Sequence, residues 1–346
     1  ETAQSPYINF KLEFELARGK LPFGLALVGR AYRNELSPRN FLLRQRAFTQ
    51  AELQIFFNPA RINEHSDFDV VKDYLLRVVI HDEREKGIQY ISCETMAKKI
   101  PQFYVYYLAK VQQFYLKILH FPEEKFRFFE LDEKEKAFYN TYHFDMEVDL
   151  DTIGWTEIGG VHYRTDHDLA GHQAISKQNL SITDEETKEK FIPHVLELSF
   201  GVDRNFQTLL TFAYVYDEKR QNVILKLPAK LSPLTASVFP IIKETPYEDS
   251  ATQIVKDLRK EFMISYDRSG SIGRRYARND EIGTPYCITI DDKTPVHHDV
   301  TIRDRDTTKQ IRVKIKDLRD TLRALLNGET TFEKAGKLVE TRVKEE

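Results

Sequence analysis

The sequence predicts a protein of two parts: an α+β unit built on an antiparallel sheet flanked by helices, followed by an α/β unit. Three observations predict this. A chain of 346 residues holds about two domains. Near its start, two long strand-forming runs flank a short polar loop, the pattern of an antiparallel pair. After residue 233 short apolar runs alternate with helical stretches, as in an α/β unit. Between the halves lies Leu227-Pro228-Ala229-Lys230-Leu231-Ser232-Pro233, whose two prolines mark a hinge. The expected domains are residues 1–228 and 234–346.

Leu21 to Asn34 reads as the first strand, Glu35 to Leu43 as a loop carrying Pro38 and Asn40, and Gln45 to Phe57 as the return strand. Helical patterns are expected over Asp69 to Glu85 and Phe103 to His120, so residues 69–149 read as a helical insertion. Its aromatic residues, including Tyr104, Tyr106, Tyr107 and Tyr115, read as core. A strand ending near Val161 precedes a helix over Leu169 to Ser176, with Asp166 or Asp168 as its expected cap. Pro193 to Phe200 reads as a strand that runs through Gly201 into a helix over Arg204 to Tyr214.

Beyond the hinge the expected order begins with strand Ser237 to Ile242, helix Asp249 to Phe262 and strand Ile264 to Tyr266. Helix Ile272 to Ala277 and strand Tyr286 to Ile290 follow, then a hairpin of Val300 to Arg305 with Gln310 to Ile315. Helices over Asp317 to Leu326 and Phe332 to Val343 are expected to close the chain.

Composition narrows the function classes. Hydrophobic residues make up 41% and charged residues 30%, with a net charge of −3. That balance excludes a histone-like mass of positive charge but leaves room for a local basic face. Two cysteines, Cys93 and Cys287, make no disulfide framework and have no metal-ligand spacing, which fits a reducing compartment. No apolar run reaches membrane-spanning length, and no stretch of this sequence is expected to act as a signal peptide. The chain starts at Glu1 without Met, and further polypeptide is expected in front of it. His162, His167 and His172 lie close in sequence but lack a ligand frame.

Two motifs carry chemistry. The first is Arg33-Asn34-Glu35 with Leu43-Arg44-Gln45-Arg46-Ala47-Phe48-Thr49-Gln50-Ala51-Glu52. On adjacent antiparallel strands its arginines, carboxylates and Phe48 converge. Arginine grips phosphate oxygens through paired donors, and a phenylalanine ring offers a flat surface to a purine. The second is Glu197-Leu198-Ser199-Phe200-Gly201-Val202-Asp203-Arg204, a strand passing through glycine into a helix that carries an arginine. Taken alone, the first motif reads better as a charged, solvated hairpin with one core Phe, and the second as a routine strand–helix turn with its arginine paired to a carboxylate.

In this order, the pair is similar to the second and third motifs of class II aminoacyl-tRNA synthetases. Further segments narrow the resemblance to the glycine enzymes of the archaeal and eukaryotic type. Glu1-Thr2-Ala3-Gln4 resembles the end of their Pro-Glu-Thr-Ala-Gln signature, and Gly154-Trp155-Thr156-Glu157-Ile158-Gly159-Gly160 resembles their Gly-Trp-x-Glu strand. The segment from Ser269 to Gly283, which includes Arg274-Arg275-Tyr276-Ala277-Arg278-Asn279-Asp280, is similar to a long signature of their anticodon-binding domain. Arg303-Asp304-Arg305-Asp306 fits the same domain. Leu198, Ala47 and Tyr163 depart from the family pattern, which has Pro, Glu and Asp there.

The resemblance implies a class II catalytic domain and an α/β anticodon-binding domain. It also implies a glycine–tRNA ligase that consumes ATP with Mg²⁺. Arg33 and Arg44 are expected to hold the ATP phosphates and the glycine carboxylate, Glu35 the adenine amino group, and Phe48 the ring. Asn34, Leu43, Gly201, Val202, Asp203, Glu157 and Ile158 complete the ATP site, with Glu157 the candidate for Mg²⁺. Arg204 closes over the nucleotide, and Arg33 and Arg204 are the expected catalytic residues. The glycine pocket maps onto Glu1, Glu52, Glu197 and Ser199, with Phe48, Thr49, Gln50, Ala51, Gly201 and Arg164 around them. Arg274, Arg275 and Arg278 are expected to meet tRNA-Gly, with Tyr276 stacking an unpaired base.

A cytoplasmic homodimer is expected of the complete enzyme; the family's first motif is expected in the polypeptide ahead of Glu1, and if that is a separate chain it is an obligatory partner. Two rivals stand beside this reading: a sibling class II synthetase, and a non-catalytic accessory subunit. The glutamates at 1, 52 and 197 oppose the first. Retention of Arg33, Arg44 and Arg204 opposes the second.

Overall fold

A computed structural model describes residues 4–184 and 187–339. The chain divides into two compact units, Glu1–Leu209 and Leu210–Glu346, and the division falls ahead of the proline pair. The elements of the first unit are α1 (Gln4–Ile8), α2 (Phe10–Leu16), β1 (Phe23–Tyr32), β2 (Ala47–Phe57), β3 (Leu75–Val79), β4 (Gln89–Ser92), α3 (Cys93–Met96), α4 (Gln102–Gln113), β5 (Phe126–Glu130), β6 (Tyr142–Leu150), β7 (Gly154–Thr165), α5 (His167–Ser176), β8 (Ile182–Thr183), β9 (Lys190–Phe191), β10 (His194–Gly201) and α6 (Val202–Ala213). Eight strands form one sheet in the order β1-β2-β10-β7-β6-β5-β3-β4. It is antiparallel except where β3 runs parallel to β5.

Residues 69–149 correct the expected helical insertion. Asp69 to Glu85 is not a helix: its centre is β3, and β3, β4, β5 and β6 all extend the main sheet. The run Leu75-Leu76-Arg77-Val78-Val79-Ile80 is short, rich in β-branched residues and almost wholly buried, which describes a strand with both faces covered. Arg77 lies within this strand. Its guanidinium is buried, donating to the Phe126 carbonyl at 2.9 Å and lying over the Tyr90 ring. The long helix of this region, α4, buries Phe103, Tyr104, Val105, Leu108 and Val111. Tyr104 and Tyr115 are core, as expected.

The hairpin β1–β2 pairs Phe23 with Phe56 and Tyr32 with Ala47. At its Phe23–Phe56 end, away from the connecting loop, the helices α1, α2 and α5 cover one face through Tyr7, Phe10, Phe56, Leu169 and Val195. Asp166 does occupy the N-cap position of α5, but its side chain makes no capping bond.

The second unit begins with the hairpin β11 (Tyr214–Asp217) and β12 (Asn222–Leu225), which the sequence reading did not foresee. A six-stranded sheet follows, ordered β14 (Ile264–Tyr266), β13 (Ala236–Pro240), β15 (Tyr286–Ile290), β16 (Asp299–Asp304), β17 (Gln310–Lys314) and β18 (Lys337–Leu338). The pairs β13–β14 and β13–β15 are parallel and the rest antiparallel. Helices α7 (Tyr247–Leu258) and α10 (Leu318–Asn327) pack on the face made by Val238, Ile288, Ile302 and Ile311. Helix α8 (Ile272–Glu281) takes the other face, where Tyr276 meets Thr289 and Asn279 meets Ser237. The unit is therefore three-layered, as the alternation predicts. A short helix α9 (Thr294–His297) precedes β16. The closing helix expected over Phe332 to Val343 is instead a single 3₁₀ turn, Phe332–Lys334, followed by β18. The remainder of that stretch lies outside the described residues.

Candidate active site

Strand alternation builds the site. With a side-chain period of two, Phe48, Gln50, Glu52 and Gln54 of β2 share one face. The register sets Gln50 opposite Gly201, Glu52 opposite Ser199 and Gln54 opposite Glu197. On the next strand Ser199 faces Gly160 and Glu197 faces His162, and beyond it His143 pairs with His162 and Asp145 with Gly160. One face of the sheet thus carries a continuous polar floor. Thr49 and Ala51, expected in the glycine pocket, are placed on the opposite face by the same alternation. Thr49 there accepts from Arg30 at 3.1 Å, and its amide donates to Asp203.

At the centre sits a buried network. Glu52, Gln54, Arg164 and Glu197 are each at most 6% exposed. Gln54 Nε2 donates to Glu197 Oε1 at 3.0 Å and lies 3.5 Å from Glu52 Oε2; Gln54 Oε1 accepts from the Tyr7 hydroxyl at 2.8 Å. Arg164 Nη1 donates to Glu197 Oε2 at 2.7 Å, while its Nε and Nη2 grip both oxygens of Asp168. Both oxygens of Glu197 are therefore held, one by an amide and one by a guanidinium, with lone pairs left on each. Burial pulls the Arg164 pKa down, but the hydrogen bond to Asp168 and the charge of Glu197 more than reverse it, so its pKa lies above the ordinary arginine value. Burial and the charge of Glu197 raise the Tyr7 pKa, so Tyr7 remains a neutral donor. Ser199 accepts from Gln50 Nε2 at 2.5 Å.

The floor is shallow beside Ser199 because β7 offers glycines there. A Cβ on Gly160 would stand 2.6 Å from His162 Nε2, and one on Gly159 would collide with the Ser199 carbonyl. His162 is half-buried, its ring 4.1 Å from that of His143. Burial and then His143 push its pKa well below the ordinary histidine value.

At the loop end of the hairpin, the Arg33 guanidinium lies 5.5 Å from the centre of the Phe48 ring. Arg44 pairs with Glu35 at 2.9 Å, and Arg46 Nε donates to the Glu35 carbonyl. Arg204, at the start of α6, donates from Nε to the Leu43 carbonyl and from Nη1 to the Glu157 carbonyl, both at 2.8 Å. It also pairs with the Glu157 carboxylate at 3.3 Å. Arg204 therefore ties the loop, β7 and the strand–helix turn together. Leu43 and Ile158 have buried side chains, and their carbonyls already accept from Arg204 and Asn205. Their side chains pack inward, and their backbones form part of the wall beside Arg204. Asp203 likewise pins α6 to β2. Gly201 lets α6 start against β7: a Cβ there would lie 3.3 Å from Arg204 Cδ and 3.4 Å from the Ile158 carbonyl. Asn34 and Val202 flank these groups. Glu1 lies outside the described residues.

Among the described residues no cluster of three or more His, Cys, Asp or Glu is placed to hold a metal ion. Mg²⁺ at a nucleotide site typically takes one or two carboxylates, the rest of its shell coming from phosphates and water. The half-exposed Glu157 carboxylate fits that demand.

Gln54, Tyr7 and Asp168 were missed from sequence. The signal for Gln54 was present as Gln50-x-Glu52-x-Gln54, three polar residues at period two in an otherwise apolar strand. Tyr7 and Asp168 carried no comparable signal.

In the second unit the expected tRNA arginines separate. Ser271 caps α8 by accepting from the Arg274 amide, and Gly270 turns the chain at a φ of +76°, a region that favours glycine. Arg274 and Arg278 are exposed, and Arg278 pairs with Asp267. Arg275 is a correction: one turn of the helix places it inward, 2% exposed, donating to the Pro240 carbonyl at 2.7 Å and the Gly270 carbonyl at 2.9 Å. Tyr276 is also committed, its hydroxyl to Thr289 and its ring to the Arg303 guanidinium. Arg303 is itself locked to Asp280 through two bonds at 2.8 and 2.9 Å.

A large antiparallel sheet with an arginine-bearing hairpin beside a glycine-to-helix turn, followed by a separate α/β unit, is the architecture of a class II aminoacyl-tRNA synthetase. Residues 235–325 match the anticodon binding domain family. Over an alignment 409 positions long the chain is 36% identical to the glycine–tRNA ligases of Pyrococcus furiosus and Pyrococcus abyssi, covering 95% of this chain and 72% and 71% of those proteins. It is 35% identical over an alignment 421 positions long to that of Archaeoglobus fulgidus, covering 98% of this chain and 72% of the relative. The chain belongs to the glycine–tRNA ligase family.

Proposed function

We propose that this chain activates glycine with ATP and transfers it to tRNA-Gly. The observation that carries the reading is the buried pair Glu52 and Glu197, set on one sheet face and oriented by Gln54 and Arg164. Glycine has no side chain, so a pocket identifies it by its ammonium, its carboxylate and its small size. Carboxylates around an ammonium supply charge-assisted hydrogen bonds, and larger amino acids are rejected by overlap with a filled floor. Family membership supports the assignment.

In the first step a glycine carboxylate oxygen attacks the α-phosphorus of ATP, and the bond to pyrophosphate breaks. In the second, a ribose hydroxyl of tRNA attacks the glycyl carbonyl and AMP leaves. Neither step needs a protein nucleophile. The work is positioning and charge neutralisation, by Arg33 and Arg44 on the phosphates, Phe48 on the adenine and Arg204 closing the site. For Arg44 and Glu35 this means opening an exposed ion pair, worth about 1 kcal/mol or less. Mg²⁺, held in part by Glu157, would add Lewis-acid neutralisation of the phosphates. Arg274 and Arg278 present positive charge to tRNA. Homodimerisation and a cytoplasmic location belong to the same reading; no helix among the described residues is long and apolar enough to cross a membrane.

Glycine-dependent exchange of pyrophosphate into ATP tests the reading. Wild-type protein should support exchange, and Arg33→Ala and Arg204→Ala should each lower it by roughly a hundredfold. Unchanged exchange in both variants overturns the site assignment.

A further inference from the structure

The loop between β5 and β6, residues 131–141, holds an exposed ring at the edge of the glycine pocket. Phe138 is 88% exposed, yet its surroundings are fixed. Asp132 accepts from the Lys134 and Glu135 amides, Lys136 Nζ donates to the Thr141 carbonyl at 2.7 Å, and Glu135 pairs with Arg84. The loop closes onto β7 through Thr141 and Tyr163. Phe138 stands edge-on to Tyr139 and to His167, each with ring centres 5.3 Å away. Tyr139 in turn covers the Arg164 guanidinium, 4.3 Å from its ring centre, and Arg164 holds Glu197. A continuous run of contacts therefore leads from an exposed aromatic face to the glutamate proposed to hold the substrate ammonium.

A single exposed apolar side chain needs no explanation. An aromatic ring flanked by two others on a tied loop is different, because those edge-on contacts leave its face open to a flat partner. The proposed reaction requires two nucleobases near the pocket. ATP brings one, which Phe48 and Arg33 receive at the hairpin. The other must be the terminal base of the acceptor strand, whose ribose hydroxyl takes the glycyl group. Base–aromatic stacking is the usual means of holding an unpaired base.

We propose that Phe138, braced by Tyr139 and His167, is the stacking surface for the terminal adenosine of the tRNA acceptor end. This inference rests on the ligase reading above. It makes Phe138 a positioning residue for transfer, with no part in glycine activation.

The test compares wild type, Phe138→Ala and Phe138→Trp in two assays and one binding measurement. Pyrophosphate exchange, which needs no tRNA, should stay within about twofold in both variants. Glycylation of tRNA-Gly should lose roughly tenfold in kcat/KM in Phe138→Ala and recover in Phe138→Trp. Wild type should bind intact tRNA more tightly than tRNA lacking its terminal adenosine, and that difference should disappear in Phe138→Ala. Normal charging by Phe138→Ala, a parallel fall in exchange, or an undiminished preference for the intact end each overturns the inference. Absence of exchange in wild type defeats the ligase reading and this inference with it.

Discussion

Replacing Arg164 by alanine gives the most decisive test of how the pocket is held together. Arg164 and its partners Glu197 and Asp168 are all less than a tenth exposed. The guanidinium makes three hydrogen bonds to these two carboxylates, at 2.7 to 3.0 Å. Truncation leaves two buried carboxylates without their counter-charge. Breaking one partner out of a buried ion pair costs about 3–5 kcal/mol, which in a unit of 209 residues lowers the thermal midpoint by roughly 10 °C. The loss has a second, local signature. Glu197 would keep only its Gln54 contact, and its Oε2 would be free to rotate. The glycine KM in pyrophosphate exchange should therefore rise by about tenfold or more at a temperature where the variant is folded, with the ATP KM little changed. Arg164→Lys should recover little of either loss, because an ammonium lacks the planar fork that reaches both carboxylates. Chemical denaturation and exchange kinetics measure the two effects separately. A variant within about 1 kcal/mol of wild type, or a destabilised variant with an unchanged glycine KM, would refute the view that Arg164 both anchors the fold and orients Glu197.

Three further outcomes follow from the geometry. His162 is held neutral, so below the ordinary histidine pKa of about 6.5 the unfolded chain binds a proton that the folded chain does not, and stability falls as pH drops. Thermal midpoints measured between about pH 7.5 and about pH 5 should fall less steeply in His162→Gln than in wild type; identical slopes would show that the ring is not titrating on unfolding. Gly160→Ala should destabilise by about 1–3 kcal/mol, because the added Cβ meets a His162 ring that is itself packed against His143, and a neutral result would mean the floor can shift. Arg274→Ala should weaken tRNA binding and lower the salt dependence by about one unit of slope, whereas Arg275→Ala should unfold the second unit more readily through loss of its carbonyl contacts; filter binding across salt and thermal melts distinguish the two.

Much of this protein was settled by the sequence alone. Alternation along Gln45 to Phe57 set a strand, the loop at Pro38 and Asn40 set its hairpin, and Gly201 before Arg204 set a strand–helix turn, because each depends on near neighbours in the chain. Local pattern failed where burial overrode it. Asp69 to Glu85 read as a helix, but the folded sheet supplies the Phe126 carbonyl and the Tyr90 ring that let Arg77 sit in a buried strand. Arg275 and Arg278 are one residue type on one helix, and their different roles emerge only when α8 lies on its sheet and turns one inward. The same holds for the pocket: Glu52 and Glu197 were legible as charges, but not their orientation by Gln54, Tyr7, Arg164 and Asp168, which converge from three separate stretches of the chain. Strand period and turn chemistry act over a few residues and can be read in order. The partners that hold a buried charge are selected by distance in space, which only the tertiary fold determines.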